Sequence, residues 1–175
     1  MKPFLLKHPN LYWENFIVSS LRLRASAVIK KMCTVVKHFN IVIDTNVIVS
    51  AFKSRNGASF KLLSLIGKNR FTPHISIALF YEYEEQLALQ TRASAQDIET
   101  FLGFLFREAE KHSIYFRIRP LTKDADDDMV AELAFACGAD YIVSYNKRDF
   151  VNVEKELSIP IQTAKEFLEI LGEQT

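Results

Sequence analysis

The chain has 175 residues, 49% of them hydrophobic and 25% charged, with a formal net charge of +1. That supplies one domain-sized core and excludes wholesale disorder, while no run approaches the roughly 20 apolar residues that span a bilayer. Two distant cysteines, Cys33 and Cys137, suggest neither a disulfide framework nor a zinc site, and the start lacks the pattern of a secretory leader, so a cytoplasmic protein without membrane contact is expected.

The charge is unevenly spread. Residues 1–38 carry seven Lys or Arg against one acid, Glu14, a net of +6, which leaves 15 basic and 20 acidic residues in the remainder. Within this basic segment, "NLYWENFIVSSLRLRASAVIKKMCTVV" predicts one amphipathic helix. It reads either as an accessory extension or as the product of a start assigned upstream of Val35 or Val36, and the two stay open. From residue 39 the pattern alternates between short β-branched runs and longer amphipathic stretches, as in an α/β domain of residues 39–175 around a mostly parallel sheet.

In chain order, "FNIVI" predicts a first strand that ends on Asp44, and "RFTPH" a weaker one. "ISIALFYEYEEQLAL" predicts a helix with Leu79, Phe80, Tyr83 and Leu87 on its apolar stripe and Glu82 close to that side. Ser94 and Asp97 open a helix expected to run through "SAQDIETFLGFLFREAEKH" to His112, followed by a strand at "SIYFRI". Asp126 to Cys137 predicts a helix closed by Gly138. Strands at "YIVSY" and "IPIQT" follow, and Thr163 with Glu166 forms a capping box before a last helix.

A carboxylate at the end of a buried strand costs several kcal/mol unless a cation, water or hydrogen bonds compensate it. Asp44 therefore marks either a site or a helix cap. In a parallel sheet, ligands bind beyond the carboxyl ends of the strands, and Ser144, Asn146 and Asp149 follow "YIV" at that same edge. Asp124, Asp126, Asp127 and Asp128 crowd one helix start beyond what capping needs. Lys53 and Arg55 follow the first strand and helix, and Lys147 and Arg148 flank Asn146 and Asp149; these four could hold phosphates on an otherwise acidic domain. His74 and His112 suggest no catalytic partner and read as a strand end and a helix end. Cys137, Phe101, Phe104 and Phe106 read as packing residues.

Together these motifs resemble the PIN domain family, metal-dependent ribonucleases that include VapC-like toxins of toxin-antitoxin pairs. The likeness runs from about Phe39 to Leu171. "VIDTNVIVSAF" looks like the opening strand and helix, with Asp44 as the first metal-site acid. "FYEYEEQL" is similar to the second motif, with Glu82. "DADDDMVAELAFACGADYIVS" resembles the third, where counting back from Gly138 gives Asp127. "VSYNKRDF" looks like the fourth, with Ser144 at a hydroxyl position, Asn146 at a position held by Asp or Asn, and Asp149 beyond. Asn146 is neutral where some members carry an acid, which leaves the fourth charge to Asp149 and a second metal in question.

The resemblance implies a three-layer fold with a mostly parallel central sheet flanked by helices. It implies an endoribonuclease in which Asp44, Glu82, Asp127 and Asp149 bind Mg²⁺ or Mn²⁺, with Thr45, Asn46, Ser144 and Asn146 around them. Crowded carboxylates demand a divalent cation, and hard oxygen donors select those ions over zinc. It further implies an RNA substrate, a cognate antitoxin of a type II pair and a homodimer. A degenerate PIN-like binding scaffold is the main rival. A receiver-like signalling module fits less well, because no acidic pair stands at the first strand and no Asp ends "SIYFRI". A haloacid-type phosphatase needs an acid where Asn46 stands.

Overall fold

The computed structural model describes residues 37–115, 122 and 125–173. The amino-terminal candidate helix, Asp124, the side chain of Asp126 and the second half of "SIYFRI" fall outside them. Five strands form one parallel sheet in the order β3-β2-β1-β4-β5: β1 Phe39–Ile43, β2 Phe71–Ser76, β3 Glu110–His112, β4 Tyr141–Val143 and β5 Ile161–Gln162. Seven helices of the described residues surround it: α1 Thr45–Lys53, α2 Ala58–Leu63, α3 Ile77–Gln90, α4 Ala95–Glu108, α5 Ala125–Cys137, α6 Val151–Leu157 and α7 Ala164–Ile170. This is the expected α/β architecture.

The central strand is short and β-branched, and Ile41, Val42 and Ile43 are all buried. Successive residues of a strand point to opposite faces, so three buried in a row mean that both faces are covered. Local chemistry fixes many helix starts. Ser94 with Asp97 and Thr163 with Glu166 form capping boxes at α4 and α7, and α5 ends before Gly138 at a φ of 61°.

Two boundaries differ from expectation. The helix predicted to reach His112 stops at Glu108, and residues 110–112 turn into β3 beside β2. Ala109 is 3% exposed and adopts extended ψ, so burying it and adding an edge strand outweigh the helix propensity of "REAEKH". Ser113, Ile114 and Tyr115, the described part of the strand predicted at "SIYFRI", follow β3 outside any strand. Likewise Ile75 and Ser76 belong to β2, and Ser76 caps α3 by accepting a hydrogen bond from the Leu79 amide.

The two ends of the sheet differ in chemistry. Phe39, Phe71 and Tyr141 begin β1, β2 and β4, and all three rings meet Phe167 of α7 at centroid distances of 5.9, 5.6 and 5.5 Å. Aromatic packing therefore seals the amino edge. The opposite edge carries the polar residues.

Candidate active site

After β1 the chain crosses to β2 on one side, and after β3 it returns through α5 to β4 on the other. The strand order reverses between β1 and β4, the place where α/β sheets open a crevice at their carboxyl ends. Asp44 follows β1 there and Ser144 follows β4, with the Asp44 amide bonded to the Val143 carbonyl at 2.9 Å.

Asp44 is 5% exposed and caps α1 through a 3.4 Å bond from the Asn46 amide. Its Oδ2 accepts hydrogen bonds from Ser144 Oγ at 2.5 Å and Asn46 Nδ2 at 2.6 Å. Asn46 also donates to Ser144 Oγ at 3.2 Å and accepts from the Tyr145 amide at 3.2 Å, while the Asn146 amide donates to Ser144 Oγ at 2.9 Å. Asp44, Asn46, Ser144 and the backbone of Asn146 thus form one network across the strand ends. The cap reading of Asp44 holds, and the same carboxylate is buried within this network. Burial pushes its pKa above the usual carboxylate range, and the bonds from Ser144 and Asn46 pull part of the way back.

Tyr83 is 1% exposed and donates its hydroxyl to the Ile43 carbonyl, which docks α3 against the end of β1. Burial, and then the nearby Asp44, hold its phenol well above 10. Glu82, half-buried, is the preceding residue on α3. Asp127 lies in the first turn of α5, the helix that starts from the carboxyl edge, and Asp149 in the turn after β4; both are half-buried. Topology therefore puts Glu82, Asp127 and Asp149 on the carboxyl side of the sheet with Asp44, while the hydrogen-bond network described above joins Asp44 to Asn46 and Ser144. Thr45 opens α1 beside them.

Asp128 ties its helix to the preceding chain. Buried, it accepts from the Thr122 amide at 2.7 Å and the Thr122 hydroxyl at 2.8 Å. One acid of the crowded helix start is thereby explained without a ligand. Glu132, 5% exposed on α5, is a further buried carboxylate. Its only signal in sequence is its place inside the apolar run "VAELAFA".

The basic candidates divide. Lys147 pairs with Glu166 at 2.5 Å and Lys53 reaches Gln90 at 3.4 Å. Arg148 is exposed, and Arg55 lines, with Arg92, Phe52, Phe60, Phe101 and Phe104, a groove of about 480 Å³ beside α1. The aromatics expected as packing residues behave so in part: Phe101 and Phe104 pack on the core, and Phe106 is half exposed. Cys137 also packs on the core, and burial lifts its thiol to about 11. His74 lies in a strand as expected, whereas His112, read as a helix end, closes β3, and the two rings touch.

A model of the PIN domain matches residues 40–148, more than half of the chain. The chain belongs to the PIN domain family. The match takes in Asp44, Glu82, Asp127, Ser144 and Asn146 and stops one residue before Asp149. Among solved structures this PIN domain is similar to VapBC2 from Rickettsia felis bound to a DNA fragment from their promoter, at 18% identity and a TM-score of 0.53, over 71% of this chain and 98% of that one. It is similar to VapBC-1 from nontypeable Haemophilus influenzae at 13% identity and a TM-score of 0.52, over 72% and 98%. FitAB bound to an IR36 DNA fragment gives 17% identity and a TM-score of 0.51, over 71% and 94%. No curated protein matches the chain. At these identities the structural likeness speaks for the fold.

Proposed function

We propose that this PIN domain is a divalent-metal-dependent endoribonuclease, the toxin of a type II toxin-antitoxin pair. The observation that carries the proposal is Asp44, a carboxylate buried at the sheet's switch point and held by Ser144 and Asn46. Such a group is costly in a structural role alone, and among the described residues no cation pairs with it. Asp44, Glu82, Asp127 and Asp149 would supply hard oxygen donors, the chemistry that suits Mg²⁺ or Mn²⁺. When bound, such an ion polarises a phosphodiester and makes water a better nucleophile near neutral pH.

The chain's own residues do the rest. Ser144 and Asn46 fix the carboxylate plane of Asp44, and the Asn146 amide fixes the Ser144 hydroxyl in turn. Tyr83 anchors α3, and with it Glu82, to the end of β1. Arg55 and Arg148 offer charge for RNA phosphates. Lys147 must first leave Glu166, a surface pair that is cheap to break.

The partner is an antitoxin, as the VapBC and FitAB assemblies suggest. The groove lined by Phe52, Phe60, Phe101 and Phe104, with Arg55 and Arg92 at its walls, fits an apolar segment bearing acids. A homodimeric, cytoplasmic protein is part of the same proposal, and no helix of the described residues is long and apolar enough to cross a membrane.

The test is cleavage of labelled single-stranded RNA by protein stripped with a chelator and resupplied with Mg²⁺ or Mn²⁺. Cleavage should require the ion and fall at least a hundredfold in Asp44→Asn, with folding retained. Equal rates in parent and variant would remove Asp44 from the chemistry. RNA binding without cleavage under every ion would favour the scaffold reading.

A further inference from the structure

We propose that His74, Glu110 and His112 form a binding site for one zinc-class transition-metal ion on the β2–β3 edge of the sheet, built from residues other than the acidic set. Among the described residues, these three are the group whose ligand atoms all lie within 4.8 Å of one another. The register explains why. His74 stands opposite Glu110 and Ser76 opposite His112 in the parallel β2–β3 pair, and a side-chain period of two puts all four on one face. Ser76 is already used as the cap of α3, which leaves two imidazoles and a carboxylate.

The two rings face each other nitrogen to nitrogen. His74 Nδ1 and His112 Nε2 are 2.7 Å apart, with ring centroids at 4.9 Å, and Glu110 Oε2 stands 4.0 Å from His74 Nδ1. A hydrogen bond between two imidazoles uses one proton, so one of the facing nitrogens already presents a lone pair. The other ring exposes its own lone pair by shifting to its second tautomer, with no net gain or loss of a proton. Zinc–nitrogen bonds of about 2.0–2.1 Å at a tetrahedral angle hold two nitrogens roughly 3.3 Å apart, so the pair must open by roughly half an ångström. His112 on the edge strand is only partly buried and can make that adjustment.

His74 is 4% exposed, and its Nε2 has no hydrogen-bond partner. Its polar contacts are thus concentrated on the side that faces His112 and Glu110. The Glu110 side chain is 67% exposed and can swing inward, and His112 lines an open cavity of about 580 Å³ with Lys111 and Ser113. An ion therefore has a path from solvent, and a fourth ligand position is left for water. Two imidazoles with one carboxylate select zinc, cobalt or nickel over magnesium. Such an ion would clasp the three-residue edge strand to its neighbour.

The experiment uses the full chain stripped with a chelator, titrated with Co²⁺ and Zn²⁺ and followed by visible absorption and thermal unfolding. One ion should bind with the cobalt spectrum of a nitrogen-containing site, and zinc at about a hundred times its dissociation constant should raise the Tm by roughly 5–10 °C. His112→Gln and, separately, the exposed Glu110→Gln should weaken binding at least tenfold, while Asp44→Asn should leave it unchanged. No binding by the parent would overturn the proposal and leave a hydrogen-bonded pair of imidazoles. Binding lost in Asp44→Asn but kept in His112→Gln would assign the ion to the acidic site and overturn it as well.

Discussion

At the scale of single residues, the cost of Asp44 sets a pH dependence. Its folded pKa is raised by burial, so the folded state prefers the protonated acid. That preference favours folding fully below the ordinary value of 3.8 and is lost as pH rises through the folded pKa. In metal-free buffer, the parent should therefore lose stability relative to Asp44→Asn between acid and neutral pH. Urea unfolding of both proteins across that range checks it, and a gap that stays constant would mean that the hydrogen bonds of Ser144 and Asn46 offset burial completely. Asp44 is legible in sequence because one polar residue ends an apolar run. The tie between Asp128 and Thr122 is not, since a cluster of acids before a helix looks the same whether or not one of them folds back. The pairing of His74 with His112 is hidden too, as it spans 38 positions and depends on a strand whose sequence favours helix.

At the scale of elements, α7 offers a clean test. Glu166 completes the capping box of Thr163 and pairs with Lys147, and the Lys147 bond above all, with the Thr163 bonds, holds its carboxyl at about 2, below the ordinary 4.5. A depressed pKa contributes stability above the unfolded value that is lost as pH falls from about 4.5 toward about 2. Glu166→Gln should flatten that part of the acid-unfolding curve, with a small effect at pH 7 because the side chain is 44% exposed and solvent screens the pair. Acid titrations of both proteins, followed by circular dichroism, read the difference. Elements governed by nearby residues, such as the capped helices α4 and α7, are legible in sequence. The boundary between α4 and β3 is not, because Glu, Ala and Lys favour a helix and only the neighbouring β2 supplies the reason to leave it.

At the scale of the whole molecule, the apolar cluster of the described residues runs from Phe39 to Leu171. Deleting residues 1–34 is expected to leave a cooperative thermal transition with a similar Tm. RNA affinity measured against salt then tells an arm from a start assigned too early: a basic arm in contact steepens the slope by about one unit per phosphate, and an artefact leaves it unchanged on deletion. Loss of cooperative folding would move the domain boundary upstream. The sheet's order also bears on how the protein is made. The central strand is the first of the described strands in the chain, yet the neighbour that closes the crevice, and the hydroxyl that grips Asp44, come 100 residues later. Synthesis proceeds from the amino end, so a growing polypeptide carries the first carboxylate long before its counterpart exists. A product that ends ahead of Tyr141 lacks β4, one wall of the crevice, and the hydroxyl that holds Asp44. Abandoned and half-made copies therefore carry Asp44 without the β4 backbone and the Ser144 hydroxyl that hold it.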